Sequence, residues 1–130
     1  MRLLLDTHIF LWFISGHARL SPQLVEILRN PQHQIFVSVI SIWECTIKQQ
    51  LGKLPLPAPA PIYLPLQREK HQFHSLDISE FSLKHLYNLP SIHRDPFDRM
   101  LISQALAHQL TLVSEDNAIA AYSVPLLKLD

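Results

Sequence analysis

Arg2-Leu3-Leu4-Leu5-Asp6-Thr7-His8 is the stretch from which the fold reads. Successive side chains of a strand point to opposite faces, so three leucines in a row need cover on both sides. An apolar run closed by an acid therefore predicts a buried strand whose carboxyl end carries Asp6. Working outward, Thr7 to Ile14 holds Ile9, Phe10, Trp12 and Phe13 and reads as a short helix stopped by Ser15-Gly16. Ser21-Pro22 opens a second helix, with serine as cap and proline at the first helical position, running to about Arg29 before Asn30-Pro31. Gln34 to Ser38, with Ile35, Phe36 and Val37, reads as a second buried strand. A helix over Val39 to Leu51 is expected to turn Ile42, Trp43, Thr46, Ile47 and Gln50 to one face and to end at Gly52.

The segment Leu54 to Pro65 carries Pro55, Pro57, Pro59, Pro61 and Pro65, which favours an extended, stiff connector. A helix from Ile62 to Lys70 and a short strand near Phe73 to Leu76 follow, then a helix over Ser79 to Tyr87. Pro96 to Gln109 gives the strongest helical signal, and Leu110 to Val113 a clear strand. Glu115 to Tyr122 reads as a short helix and Val124 to Leu127 as a last strand, which Pro125 confines to an edge. Strands alternating with helices predict an α/β fold: a doubly wound parallel sheet of about five strands with helices on both faces. In such sheets ligands bind beyond the carboxyl ends of the strands.

Composition bounds the rest. The chain of 130 residues is 48% hydrophobic and 17% charged, enough apolar material for one core and too little charge for disorder, so residues 1–130 read as a single domain. No apolar run approaches the roughly 20 residues of a membrane span, and Asp6 and His8 interrupt the one resemblance to a signal peptide. A cytoplasmic protein with no membrane partner is expected. Cys45 is the only cysteine, which excludes an internal disulfide and multi-cysteine metal sites. Eleven basic residues balance eleven acidic ones, so nucleic acid would not be held by bulk charge, although a local patch is compatible.

The positions of the acids then matter. Asp6 follows strand one, Glu44 lies in the helix after strand two, Asp95 and Asp98 open the strongest helix, and Glu115 and Asp116 follow the strand at Leu110 to Val113. Four segments thus bring carboxylates to one end of the predicted sheet. Each has a simpler reading: Asp6, Asp95 and Ser114-Glu115-Asp116 suit helix capping, and Glu44 suits a solvated helix surface. Two details weigh against simplicity. Asp98 falls on the side of Leu101, Ile102 and Ala105, and Glu44 borders the apolar face carrying Trp43 and Ile47. A buried carboxylate is costly unless paired or bound to a metal, and no lysine or arginine in these segments is placed to pair with every acid at once. Oxygen ligands converging in a cleft suit magnesium, with manganese as the alternative, and support phosphodiester hydrolysis.

In these motifs the chain resembles the PIN-domain nucleases, and more closely the VapC-like toxins of type II toxin–antitoxin systems. The matching stretches are Leu4-Leu5-Asp6-Thr7-His8 with Leu11-Trp12, Ser38 through Ser41-Ile42-Trp43-Glu44, and Leu51-Gly52-Lys53-Leu54. They continue with His93-Arg94-Asp95-Pro96-Phe97-Asp98-Arg99, the helix to Ala107, and Leu112-Val113-Ser114-Glu115-Asp116. The resemblance implies a magnesium-dependent endoribonuclease acting on RNA, a homodimer, and a cognate antitoxin whose segment packs in a groove near the cleft. It places Asp6, Glu44, Asp98 and Asp116 at the family's acidic metal positions and Ser114 at a supporting hydroxyl position. Asp95 is a second acid that also suits a cap, and nothing carries over to Glu115. Arg94 and Arg99, beside the cleft, are candidates both for holding RNA phosphates and for pairing with the local acids.

Other chemistries are weighed beside this one. His71 and His74 are closely spaced but lack a convincing third and fourth ligand. A metal-independent ribonuclease would need His8 or His93 as general acid and base. Ser114 and Cys45 have no nucleophile elbow or adjacent base. The alternative functions are a DNA- or RNA-processing nuclease of the same fold outside a toxin system, and a non-catalytic interaction module.

Overall fold

In the computed structural model, which describes residues 1–129, Leu3 and Leu5 enter one hydrophobic core and Leu4 the other, all three fully buried. That alternation is what a strand covered on both faces requires. The strand, β1 (Arg2–Leu5), leads into α1 (Thr7–Ser15) and α2 (Pro22–Arg29), then β2 (Gln34–Ser38) and α3 (Val39–Gln50). The chain continues through α4 (Ala60–Lys70), β3 (His74–Leu76), α5 (Glu80–Tyr87), α6 (Pro96–His108), β4 (Thr111–Val113) and α7 (Asn117–Ala120).

All strand pairings are parallel, in the order β3-β2-β1-β4. The chain moves outward from β1 to β2 to β3 and then returns to the other side of β1. The reversal falls between β1 and β4, so the crevice of the sheet opens beyond Leu5 and Val113, which are paired neighbours. On one face Ile35, Val37 and Val113 join Leu3 and Leu5 against Ile9, Phe10, Leu24 and Leu28 of α1 and α2. On the other, Leu112 joins Leu4 against α6, whose residues Met100 to Ala105 are buried without a break. Each buried leucine contributes roughly 1.5–3 kcal/mol relative to exposure, so the tripeptide of β1 anchors both layers. The doubly wound α/β sheet expected from the sequence is the one observed.

Local signals account for the helix ends. Ser21 Oγ caps α2 through the Leu24 amide at 3.1 Å, with Pro22 at the first position. Gly16, at φ 65°, ends α1 in the left-handed conformation that glycine adopts without a steric penalty. Ser38 Oγ accepts from the Ile40 amide at 3.0 Å to cap α3 and donates to Gln104 Oε1 at 2.6 Å, tying the end of β2 to α6.

Three expectations change. The final segment makes one parallel bridge, Leu112 to Leu126, rather than a strand, leaving four strands in the sheet. Pro125 supplies only its carbonyl, accepting from the Leu112 amide at 2.8 Å, so pairing cannot propagate. The extended connector stops at Pro59, because Gln49 binds both sides of the junction, donating to the Ala58 carbonyl and accepting from the Ala60 amide. The last helix is shorter than expected because Asp116 is its cap.

Candidate active site

Asp6, the first residue beyond β1, is 5% exposed. Its amide donates to the Val113 carbonyl at 3.0 Å and its Oδ1 accepts from the Ile9 amide at 2.9 Å, so it both joins the ends of β1 and β4 and caps α1. Burial raises its pKa; the Ser114 hydroxyl, the Ile9 amide and the His8 charge act against that rise, and the Asp116 charge adds to it. Asp6 and Asp116 line a cavity of about 240 Å³ together with His8, Trp12, Arg19 and Glu115.

Asp116 follows β4 on an exposed turn. Its amide is held by Ser114 Oγ at 3.0 Å, and its Oδ1 caps α7 through the Ala118 amide at 2.8 Å. Ser114 thus fixes Asp116, and its hydroxyl also favours the charged form of Asp6.

Across the cleft, Asp95 caps α6, its Oδ1 accepting from the amides of Phe97 at 2.9 Å and Asp98 at 3.3 Å. Its simpler reading is therefore the observed geometry. Asp98, in the first turn, has its Oδ2 2.9 Å from His93 Nε2. Burial pushes the Asp98 carboxyl up to about 6; the His93 hydrogen bond opposes this, while the charges of Asp95, Glu44 and Asp116 reinforce it. One ligand atom from each of His93, Asp98 and Asp116 lies within 4.8 Å of the others.

Glu44 is 3% exposed and sits on a different face of α3 from the one expected. The buried residues of that helix are Ile40, Ser41, Glu44 and Cys45, whereas Trp43 is 55% exposed and meets the edge of Phe97 with ring centroids 5.2 Å apart. The Thr7 hydroxyl donates to Glu44 Oε1 at 2.7 Å, and Lys48 Nζ donates to Oε2 at 2.6 Å. Burial alone would lower the Lys48 pKa, but the Glu44 hydrogen bond and charge, aided by Asp95, raise it. The Glu44 charge is therefore balanced within its own helix, which the sequence reading overlooked.

The cations also sort differently from expectation. Arg94 is exposed. The Arg99 guanidinium instead donates to the Pro90 carbonyl at 2.8 Å, the Tyr122 hydroxyl at 3.0 Å and the Leu89 carbonyl at 3.4 Å, which engages it in holding the approach to α6. Arg19 lies over the Trp12 ring at 4.8 Å and lines the Asp6 cavity; its separation in sequence from every acid hid it. His93 was legible only as an imidazole five residues before Asp98.

These donors fit a divalent cation. The Asp116 charge adds to the raised pKa of Asp6, and the Asp95, Glu44 and Asp116 charges to that of Asp98, a penalty that a cation relieves; Asp98, Asp116 and His93 supply oxygen and nitrogen atoms within reach of one ion.

The sequence matches the PIN domain family over residues 3–125. Among solved structures, it is similar to a chain of VapBC from Rickettsia felis bound to a DNA fragment from their promoter, with TM-score 0.74 and 19% identity, covering 98% of each chain. It is similar to DNA-bound VapBC from Salmonella typhimurium, with TM-score 0.69 and 16% identity over 98% of this chain and 97% of that one. VapBC from nontypeable Haemophilus influenzae gives TM-score 0.68 and 18% identity over 98% of each. At these identities the likeness is one of fold. No curated protein matches the chain.

Proposed function

The chain belongs to the PIN-domain family, and on that premise we propose that it is a magnesium-dependent endoribonuclease, the toxin of a type II toxin–antitoxin pair. The observation that carries this reading is Asp98, a carboxyl pushed up to about 6 and grouped with Asp116 and His93 at the switch point of the sheet. Perturbed carboxylates converging in such a cleft are where metal-assisted hydrolysis is built.

Asp6, Asp98 and Asp116 would hold the cation, with Glu44 completing the site directly or through water, and manganese could replace magnesium. When bound, the cation supplies charge neutralisation at the phosphate and a lowered pKa for water. The chain's own residues do the positioning. Lys48 and Thr7 fix the Glu44 carboxylate, Ser114 fixes the loop bearing Asp116, and the α1 cap fixes Asp6. The His93 contact fixes the Asp98 rotamer and offers a proton carrier at Nε2. Arg94 is free to meet an RNA phosphate. In-line attack by water then breaks the P–O3′ bond, leaving a 5′-phosphate and a 3′-hydroxyl.

Partners follow from the surface. Trp43, Phe81 and Tyr87 are 55%, 54% and 90% exposed on α3 and α5, which supports a homodimer. A larger cavity of about 840 Å³ between α1 and α2, lined by Trp12, Phe13, Leu20 and Val25, suits an antitoxin segment. Among the described residues no helix is long and apolar enough to cross a membrane, and a toxin acting on cellular RNA would work in the cytoplasm. Induced expression in a bacterial host lacking the antitoxin tests this reading. Growth arrest that Asp6→Asn and Asp98→Asn abolish is expected; unimpaired growth with abundant soluble protein would contradict a toxin.

A further inference from the structure

At the amino ends of the strands, a cavity of about 440 Å³ gathers Arg29, His33, His71 and His74 with Gln34 and Gln72. Gln34 begins β2 and His74 begins β3, so in this parallel sheet the cavity lies at the opposite end from the carboxylates. Among the described residues no aspartate or glutamate lines it. We infer that this cavity is an anion site that takes a phosphate group.

Four groups on separate segments carry the inference. Arg29 ends α2, and among the described residues it makes no ion pair, which leaves its planar fork of donors available. The Met1 ammonium lies 2.9 Å from His33 Nδ1; it adds a positive charge and makes Nδ1 the acceptor, which puts the proton of a neutral ring on Nε2. His71 is held edge-on to Phe13, with centroids 4.9 Å apart, and His74 lies against Phe36 at 5.1 Å, so aromatic packing restrains both rings. Between them Gln72 adopts φ 59°, a left-handed conformation uncommon for a residue with a side chain, which turns the chain from α4 into β3. The local field is positive: burial, then the Lys70 and Arg29 charges, lower the His71 pKa.

Three imidazoles also suit a transition metal. Against that, Arg29, Lys70 and the Met1 ammonium repel a cation, and the described lining of the cavity holds no carboxylate. Among the described residues, only His93, Asp98 and Asp116 bring three such ligand atoms within 4.8 Å. Five residues of β2 at roughly 3.3 Å each separate the two ends of the sheet by about 15 Å. A phosphate held here is therefore a different group from one held among the acids. An RNA backbone phosphate and a small phosphate compound share this chemistry.

Histidine ring resonances of the full chain, followed by NMR in chelator, test the site without requiring cleavage. The probes are inorganic pyrophosphate and, separately, a short RNA lacking a terminal phosphate. Saturable shifts of His33, His71 and His74, with His17 and His85 unmoved, are expected. Arg29→Gln, at an exposed position, should weaken binding at least about tenfold, and His71→Gln should also weaken it. Saturation by pyrophosphate assigns a small-phosphate site, and saturation by the RNA alone assigns a backbone contact. No saturable shift of wild-type protein with either probe overturns the inference, as does undiminished affinity in folded Arg29→Gln.

Discussion

Asp98→Asn should make the metal-free protein more stable while removing its activity. Burial and three neighbouring carboxylates push the Asp98 carboxyl from 3.8 up to about 6. The folded state therefore binds a proton that the unfolded chain releases between those values, and wild-type stability falls as pH rises through that window. Above about 6 the charge is a constant cost. A shift of about two pKa units corresponds to roughly 3 kcal/mol at most. The Asp98 side chain is 15% exposed, and screening at the rim of the cleft brings the expected gain to about 1–2 kcal/mol. Asparagine can keep the hydrogen bond to His93 Nε2, so little is lost in exchange. In a chain of this length the gain corresponds to roughly 5 °C in Tm. Thermal unfolding in chelator at pH 7.5 and at pH 4 reads it directly: the variant melts higher at pH 7.5, and the difference closes at pH 4, where the wild-type carboxyl is protonated. Equal melting at pH 7.5, or an advantage that persists at pH 4, would refute the claim that Asp98 is destabilised by its charge.

Two further outcomes follow from the buried face of α3. Lys48→Met leaves the Glu44 carboxylate buried without its cation and should cost about 1–2 kcal/mol, less than a fully buried pair because Lys48 is 40% exposed; urea unfolding should show most of that loss restored in Lys48→Met/Glu44→Gln. Cys45 is fully buried with its thiol pushed up to about 12, by burial first and the Glu44 charge second. It should resist a thiol reagent at pH 8 until denaturant is added, and rapid stoichiometric labelling of the native protein would contradict that burial.

The sheet and its helix caps were legible because their signals are local. Three consecutive leucines followed by an acid, Ser21-Pro22 and Asp95-Pro96 each specify a backbone state within a few residues. The position of Asp6, Glu44 and Asp116 followed from topology, since every strand was expected to be parallel and each of these acids lies in the turn or helix directly after a strand, whereas Asp98 was placed by the cap that opens its helix. The orientation of α3 was not legible in the same way. Weight placed on Trp43 turned the helical wheel toward the wrong side, because the tertiary fold buries Ser41, Glu44 and Cys45 and compensates Glu44 through Lys48, one turn away. Arg99 misled for a related reason: its carbonyl partners at Leu89 and Pro90 are set by the path of a loop, which no periodicity reports. His33 lies far from His71 and His74 in sequence, and only the alignment of strand starts brings the three to one cavity.

The most direct test is cleavage of total cellular RNA by purified, antitoxin-free protein, with magnesium or chelator, beside Asp6→Asn and Asp98→Asn. Discrete fragments bearing 5′-phosphates, lost in chelator and in both variants, are expected. Cleavage that survives chelator, or that persists in folded Asp98→Asn, would contradict a metal-dependent nuclease built on these carboxylates.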